Sequence, residues 1–317
     1  MRITDKISLW SFESNEYLEI HRSLQFLDRV LFSDYEPTQS PRSDYPTFYN
    51  RLSSWLNNAP KEEQQKQYFK LLTKLLYIGR DEITSLMTSA YSTAYMQWIV
   101  RAGSIRLSPT TFSSDFAAEL RATWFCPTTD SFRINQFFHI NGLASSASHR
   151  PDWRSLKKFG DTARIQKYLT DNKYSRVVLL EDFVGTGTQI NSIIKFIGMK
   201  FPAIPFLLTP LICAKDGYER MLGTIHDGGY GNITVTPVVL LDKRATLGSL
   251  PKETRQVILR GRKQLLLGCT AEQRANIESY NLDLLSVLFS NTPNNSAPEL
   301  YMHHATWNPL FPRVQRD

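Results

Sequence analysis

A hydrophobic run that ends in two acidic residues and a glycine-threonine loop sets the narrowest limits on how this chain can fold. Arg176–Leu180 has the apolar pattern of a buried strand, and Glu181 and Asp182 follow it directly. The loop Gly185–Thr188 comes next, and a helical pattern begins after it. Buried strands that alternate with helices are typical of parallel α/β sheets, whose ligands bind at the carboxyl ends of the strands. We therefore predict an α/β fold with a ligand site at this loop.

The loop is predicted to hold a phosphate group. Small residues that open a helix expose backbone N–H groups at the positive end of the helix dipole, which attracts anions. The carboxylates of Glu181 and Asp182 would repel a phosphate alone, so the ligand should also offer hydroxyl groups or a bound cation. A ribose 5-phosphate group has hydroxyls on one side and phosphate on the other. The predicted ligand-binding residues of the loop are Gly185, Thr186, Gly187, Thr188 and Gln189.

Other phosphate-binding loops fit this segment less well. A Walker A loop needs a lysine after its last glycine, whereas Thr188 follows Gly187. A dinucleotide-binding loop needs a further glycine three positions after Gly187, where Ile190 stands. The acidic pair can also be a solvated pair before a helix, with Asp182 as the helix cap, and the sequence leaves this alternative open.

The rest of the chain predicts a doubly wound, mostly parallel sheet that follows a helical N-terminal module. Apolar residues recur at helical spacing through the first part of the chain, whereas short apolar runs alternate with helical patterns after it. We expect a helical module over 1–110 and an α/β domain over 111–317, with a basic helical insertion near 251–280 and an extended C-terminal tail. The predicted strands are Ala122–Cys126, Val177–Leu180, Phe206–Cys213, Ile233–Leu241 and Leu284–Phe289, and the predicted helices between them are Arg154–Asn172, Gln189–Lys200 and Lys215–His226.

The segment Glu181-Asp-Phe-Val-Gly-Thr-Gly-Thr-Gln189 resembles the signature of the type I phosphoribosyltransferases, which bind phosphoribosyl pyrophosphate. More specifically, it is similar to the phosphoribosyltransferase-like family of prokaryotic conflict systems, which includes proteins of retron anti-phage operons. Two C-terminal stretches, Asn291–Pro298 and Asn308–Arg313, support this resemblance. It implies the type I phosphoribosyltransferase fold for roughly residue 120 to the end of the chain.

The resemblance also implies roles for individual residues. Glu181 and Asp182 would hold the ribose 2′- and 3′-hydroxyls as the catalytic pair, and Gly185–Thr188 would wrap the 5′-phosphate. Mg²⁺ would bind through the pyrophosphate of the ligand. Many members carry Thr or Ser at the position of Gln189, so Asn191 or Ser192 would have to supply that contact here.

Two further segments are candidates for ligand contacts. Members of the family hold pyrophosphate on a loop after an early strand, which corresponds here to Asp130 and Ser131. Both residue types are also common in ordinary turns, so a structural role stays open. Asn294 and Asn295 follow the last predicted strand, and we expect them to reach the carboxyl edge of the sheet, where their amides would bind a nucleobase or hold a turn. No segment has the pattern of a base-binding hood.

Charge and cysteine content narrow the class of protein. Lys and Arg number 37 against 30 Asp and Glu, and the net charge of +7 suits phosphate-bearing partners without naming one. The 3 cysteines lie far apart, which argues against a disulfide framework and against zinc-finger spacing. The histidines have no metal-ligand spacing, so no residue is predicted to bind a metal directly. No apolar run approaches the roughly 20 residues of a membrane span, and we expect a cytoplasmic protein without membrane contact.

The sequence is compatible with three functions. The first is an anti-phage effector enzyme that transfers or hydrolyses phosphoribosyl pyrophosphate or a related nucleotide. The second is a non-catalytic sensor or scaffold in a nucleoprotein defence complex, and the resemblance implies a retron reverse transcriptase with its nucleic acid as a possible partner. The third is a nucleic-acid-binding protein that uses the basic cluster Lys252–Lys263, although a solvated helix face explains the same cluster.

Overall fold

Hydrophobic runs in the middle of the chain pair as parallel strands in the computed structural model. The structure describes residues 3–36, 46–102, 105, 110–129, 131–143, 156 and 161–314. Aliphatic and aromatic residues occupy both faces of the longer strands, which favours a sheet covered on both sides. In chain order, the strands are β1 (Leu76–Ile78), β2 (Thr123–Pro127), β3 (Arg176–Val184), β4 (Phe206–Ala214), β5 (Ile233–Val235), β6 (Val239–Leu241) and β7 (Ser286–Leu288).

The main sheet has the order β2-β3-β4-β5, and β6 also pairs with β4. All of these strand pairs are parallel. β5 lies beside the first half of β4, with Phe206 opposite Ile233, and β6 lies beside its end, with Ala214 opposite Leu241. The strand predicted over 233–241 is therefore split in two, because Pro237 has no N–H group to donate to the sheet.

The helices account for most of the remaining described residues. A π-helical segment, Ala90–Tyr95, joins α5 to α6. In the described ranges, no helix combines the length and apolar content that a membrane crossing requires. The helices are α1 (Ile3–Glu13), α2 (Asn15–Val30), α3 (Phe48–Leu56), α4 (Glu62–Leu71), α5 (Arg80–Ser89), α6 (Met96–Arg101), α7 (Phe112–Arg121), α8 (Ile134–Ile140), α9 (Thr162–Asp171), α10 (Thr188–Lys200), α11 (Lys215–Gly228), α12 (Lys252–Gly268), α13 (Ala271–Tyr280) and α14 (Pro298–Tyr301).

Helices cover both faces of the main sheet. The crossover helices α9, α10 and α11 bury Ile165, Ile194 and Met221 in one hydrophobic cluster with alternate residues of the strands. On the other face, the Tyr95 ring lies 5.0 Å from the Phe125 ring. The predicted mixed α/β fold with a mostly parallel sheet and a helical N-terminal part is confirmed. The helical cover of the second face comes from the segment before β2 and from α8, whose Phe137 ring lies 5.7 Å from the Phe125 ring.

The chain divides into two compact units whose boundaries differ from the predicted ones. The first unit is Met1–Arg80 with Asp242–Asp317, and the second is Asp81–Leu241. Residues after 80 join the sheet unit because they pack on it, as the hydrogen bond between Tyr95 Oη and Thr123 Oγ1 at 3.0 Å illustrates. The C-terminal segment instead pairs with the N-terminal one, since β7 forms a two-stranded parallel sheet with β1. Local sequence pattern changes near residue 110, but packing sets the units.

A buried ion-pair network lies inside the first unit. Arg262 on α12 donates to both carboxylate oxygens of Glu299, at 2.7 and 2.9 Å, and Glu299 is 0% exposed. Arg262 also forms an ion pair with Asp283, at 2.7 Å. Trp55 donates its indole N–H to the Glu299 carbonyl at 2.8 Å. The basic cluster Lys252–Lys263 is therefore not a single solvated or nucleic-acid-facing stripe, because one of its arginines points into the core.

Candidate functional site

Strand β3 continues through the acidic pair that was predicted to follow it. Its pairing with β4 extends from Val177 to Val184, which lies opposite Cys213. On the other side, β2 ends with Pro127 opposite Leu180. The Leu180 carbonyl then accepts the N–H of Thr128 at 2.8 Å. Acidic residues are uncommon in strands, but the ladder to β4 holds Glu181 and Asp182 in extended conformation. Both carboxyl groups are thereby fixed where β2 has already ended.

The acidic pair and the segment after β2 form one hydrogen-bonded group, which we call the carboxyl cluster: Thr129, Ser131, Glu181 and Asp182. Thr129 Oγ1 donates to Glu181 Oε1 at 2.8 Å. Ser131 Oγ lies 3.2 Å from the same oxygen and 3.0 Å from Asp182 Oδ1. Asp182 Oδ1 also accepts the Phe183 N–H at 2.8 Å. The structure therefore brings Ser131 together with both acidic residues, whereas Asp130 lies outside the described residues.

The carboxyl group of Glu181 is held in its uncharged form to higher pH than a solvated glutamate. Its side chain is buried, with 4% of the residue exposed, and Oε2 has no hydrogen-bond partner in the described part of the chain. Burial and then the neighbouring Asp182 raise the pKa of Glu181 well above its ordinary value, although Thr129 and Ser131 oppose this rise. A protonated Glu181 reduces the negative charge that an incoming phosphate would meet.

Glu181→Gln is expected to stabilise the protein increasingly as pH rises above about 4.5. With a raised pKa, the folded state holds its proton while the unfolded chain ionises, so wild-type stability falls with pH until the folded pKa is passed. Each pKa unit of difference corresponds to about 1.4 kcal/mol. Thermal unfolding from pH 4 to 8 tests this, with the exposed Glu219→Gln as control. Parallel curves for the wild type and Glu181→Gln would contradict the buried-acid assignment.

The glycine-threonine loop connects β3 to the N-terminus of α10. Gly187 precedes the helix in the left-handed conformation, with φ +74°, which glycine adopts without strain. The hydroxyls of Thr186 and Thr188 lie 3.0 Å apart. Gly185, Thr186 and Gly187 are buried, whereas Thr188 and Gln189 are exposed. Since α10 begins at Thr188, Asp182 does not cap it, and the helix presents its first N–H groups beside the loop.

Gly217 supports the loop from behind, and sequence reasoning missed it. This residue lies in the first turn of α11, and a Cβ added there would overlap the Gly185 carbonyl oxygen. A Cβ at Gly187 would in turn lie 3.0 Å from the Gly217 carbonyl oxygen. The two backbones therefore approach more closely than side chains permit. The only sequence signal was a lone glycine at the start of a helix, which is common for other reasons.

The residues proposed to replace a hydroxyl at Gln189 differ in their surroundings. Ser192 Oγ donates to the Gln189 carbonyl at 2.7 Å, so this hydroxyl is used within the helix. Asn191 Oδ1 is buried without a hydrogen-bond partner among the described residues. Among the described residues, the Ser192 hydroxyl therefore bonds within α10 and not to the loop Gly185–Thr188.

Asn294 and Asn295 do not follow a strand of the main sheet, which corrects the expectation drawn from the sequence. Their preceding strand, β7, pairs with β1 in the other unit. Asn295 is buried, and its amide donates to the Tyr280 carbonyl at 2.6 Å. The Asn294 carbonyl accepts the Tyr301 hydroxyl at 3.3 Å. These contacts hold a turn, which is the alternative that the sequence left open.

Glu181 and Asp182 are the two acidic side chains of the carboxyl cluster. Within the described ranges, no group of three or more His, Cys, Asp or Glu side chains could hold a metal ion. Asp182 Oδ1 accepts hydrogen bonds from Ser131 Oγ and from the Phe183 N–H. Mg²⁺ commonly takes one or two protein carboxylates and completes its shell with substrate phosphates and water. A site with only one or two carboxylates therefore needs a phosphorylated ligand to complete the coordination of such an ion.

Comparison with known proteins gives one match. The family model PRTase-CE matches residues 52–313, which include the carboxyl cluster, the loop and the supporting helix α11. Neither the curated proteins nor the solved structures give a match to the chain.

Proposed function

The chain belongs to the PRTase-CE family of phosphoribosyltransferase-like effector domains, and from this membership we propose that it binds phosphoribosyl pyrophosphate or a related nucleotide with Mg²⁺. The observation that carries the proposal is a continuous run along β3 and α10. Hydrogen-bond acceptors for hydroxyl groups come first, at Glu181 and Asp182, and a phosphate-binding helix N-terminus follows at Gly185–Thr188. A ribose 5-phosphate carries hydroxyls at one end and a phosphate at the other, in the same order as the acidic pair and the loop.

Each part of the site has a distinct task in this proposal. The half-buried Asp182 would accept hydrogen bonds from the ribose hydroxyls and would hold the cation. The backbone N–H groups of Gly185–Thr188, with Gln189 at the exposed edge, bind the 5′-phosphate. Ser131, which is held against both carboxyl groups, would contact the pyrophosphate. Mg²⁺ offsets the charge of the pyrophosphate when it is bound.

The reaction we favour is displacement at the sugar C1. The bond from C1 to the pyrophosphate oxygen breaks and pyrophosphate leaves with the bonding electrons. A new bond forms from C1 to a nucleophile, which is water in hydrolysis and an acceptor in transfer. With water, the products are ribose 5-phosphate, pyrophosphate and a proton. The developing positive charge at the sugar lies near the carboxylate of Asp182, which stabilises it electrostatically.

Asp182→Asn is expected to weaken binding of Mg²⁺-phosphoribosyl pyrophosphate by about 10- to 100-fold, because a charged hydrogen bond is worth roughly 1.5–3 kcal/mol. The amide keeps the shape of the side chain but loses the charge that the cation and hydroxyls require. Calorimetric titration with and without Mg²⁺ measures the effect. Asp171→Asn, at the exposed end of α9, removes the same charge away from the loop and serves as control.

Thermal unfolding of both variants verifies that each is folded. Equal affinity of Asp182→Asn and wild type would show that the carboxyl cluster is not part of the ligand site. Absence of saturable binding to folded wild type, with and without Mg²⁺, would overturn the proposed ligand altogether.

A second candidate function is a non-catalytic nucleotide sensor or scaffold. The observation that favours it is the burial of Glu181, whose Oε1 already accepts hydrogen bonds from Thr129 and Ser131. A carboxyl group engaged in this way is less accessible to a reacting sugar. Pyrophosphate release, followed with and without candidate acceptors, separates the two functions. Saturable binding without any release of pyrophosphate supports the sensor, and steady release supports the enzyme.

For the cellular role we propose an anti-phage effector that acts in the cytoplasm. Membership of an effector family supports this role, and a reverse transcriptase with its nucleic acid is the proposed restraining partner. Expression of the chain alone, and together with such a partner, tests the idea in growing cells. Growth arrest that needs Asp182 and is relieved by the partner is the expected result, whereas arrest unchanged by Asp182→Asn would contradict a ligand-dependent effector.

A further inference from the structure

Arg220 reaches the proposed phosphate loop from a helix that the sequence did not connect with it. It lies on α11, and its Nη1 donates to Thr188 Oγ1 at 3.3 Å. Thr188 is the first residue of α10 and belongs to the loop. Because Gly217 and Arg220 are three residues apart, they lie on the same side of α11. The turn that packs on Gly185 therefore also carries the arginine.

Arg220 forms no ion pair within the described part of the chain, although Asp216 stands one turn before it on α11. Two other exposed cations of the same unit have carboxylate partners: Lys167 lies 2.8 Å from Asp171, and Lys215 lies 3.6 Å from Glu219. Unpaired guanidinium groups beside a helix N-terminus add to the positive potential that the N–H groups already create. The loop itself, Gly185–Gln189, contains no basic residue.

We propose that Arg220 is a phosphate-binding residue of this site and supplies the side-chain contact that a Thr or Ser hydroxyl would make at position 189. The inference rests on the proposed function and adds a specific ligand contact to it. A guanidinium group donates two parallel hydrogen bonds to phosphate oxygens, which a threonine hydroxyl cannot do. The close contact between Gly217 and Gly185 fixes α11 against the loop, so the arginine is positioned before the ligand arrives.

With Arg220 as a phosphate contact, the site should prefer ligands with a terminal, doubly charged phosphate. A phosphate monoester, as in ribose 5-phosphate, offers three oxygens to the N–H groups of the loop and to the guanidinium together. A ligand whose 5′-oxygen lies in a phosphodiester, as in a nucleic-acid chain, offers only two free oxygens and one charge. Arg220 therefore selects small phosphorylated sugars and nucleotides over internal nucleotides of a strand.

The test is titration of phosphoribosyl pyrophosphate with Mg²⁺, and of ribose 5-phosphate, into the wild type and three variants. Arg220→Gln removes the charge, and Arg220→Lys keeps the charge but loses the two parallel N–H donors of the guanidinium group. Lys200→Gln is the control, because it removes a charge from the far end of α10. We expect Arg220→Gln to weaken both ligands by about 10- to 100-fold. Arg220→Lys should lie between it and wild type, and Lys200→Gln should match wild type.

The outcomes separate this inference from the proposed function. If wild type binds the ligands and Arg220→Gln binds them with an affinity within about twofold, the proposed role of Arg220 is overturned, and the proposed site is not. Absence of binding to wild type overturns both. If Arg220 only ties α11 to the loop, Arg220→Gln should lower the unfolding temperature of the free protein, and Arg220→Lys should not restore affinity. That result would also overturn the inference, because a ligand contact depends on the charge.

Discussion

Gly217→Ala should weaken phosphoribosyl pyrophosphate binding by about 100-fold and lower the stability of the protein by roughly 1–3 kcal/mol, the usual cost of an overpacked contact. The added methyl group would overlap the Gly185 carbonyl oxygen, which is backbone and cannot rotate away. Either α11 or the loop must then move. A shift of the loop turns its N–H groups away from the phosphate, and a shift of α11 displaces Arg220.

Gly223 provides a matched control on the same helix. A Cβ at Gly223 would meet no atom within 4 Å, so alanine there adds helix propensity without a clash. We expect Gly223→Ala to be slightly more stable than wild type, by about 0.5–1 kcal/mol, with unchanged affinity. Urea unfolding and calorimetric titration measure both quantities. Wild-type affinity in Gly217→Ala would mean that the loop and α11 are not in close contact in solution.

Glu299→Ala should be the most destabilising single change in the first unit, at about 3–5 kcal/mol. The glutamate is fully buried and holds two of the Arg262 donors. Its removal leaves a guanidinium in the core with only Asp283 as an ionic partner. The midpoint of urea unfolding measures the loss, and Glu278→Ala on the exposed side of α13 is the control.

A double variant distinguishes the unpaired charge from lost packing. Glu299→Leu combined with Arg262→Met replaces the two more deeply buried charges by apolar groups of similar length. Asp283 loses its ionic partner but is partly solvated, with 34% of its side chain exposed, so the double variant should lose much less stability than Glu299→Ala. If the double variant is as unstable as the single one, lost shape complementarity rather than an uncompensated buried charge is responsible.

The segment from β3 to α10 in the second unit was predicted well, because interactions between neighbouring residues determine its structure. The order of an apolar strand, two acidic residues, a small-residue loop and a helix is set by neighbouring residues, and α10 begins at Thr188, one residue before the predicted start. The length of β3 was underestimated, because β4 and not β3 itself keeps Glu181–Val184 extended. The burial of Glu181 follows from Thr129 and Ser131, which lie 50 or more positions away.

Contacts between distant segments account for what the sequence did not predict. β7 has the pattern of a strand, but nothing in that pattern says that its partner is β1 rather than the main sheet. Arg262 stands among exposed basic residues, and only Glu299 and Asp283, brought beside it by folding, show that it is buried. Gly217 and Arg220 become recognisable as site residues only when α11 is seen against the loop.

The carboxyl cluster has a consequence for the way this site changes over evolutionary time. One hydroxyl, that of Ser131, lies within hydrogen-bond distance of both acidic side chains and of Thr129. Substitutions at these four positions therefore have coupled rather than additive effects on stability. A lineage that loses the acid at 181 no longer needs the Thr129 hydroxyl, although Ser131 still has Asp182 as a partner, and one that loses a hydroxyl leaves a buried acid with fewer donors. The four residues should covary as a unit, while Gln189 at the exposed edge of the loop is free to change alone.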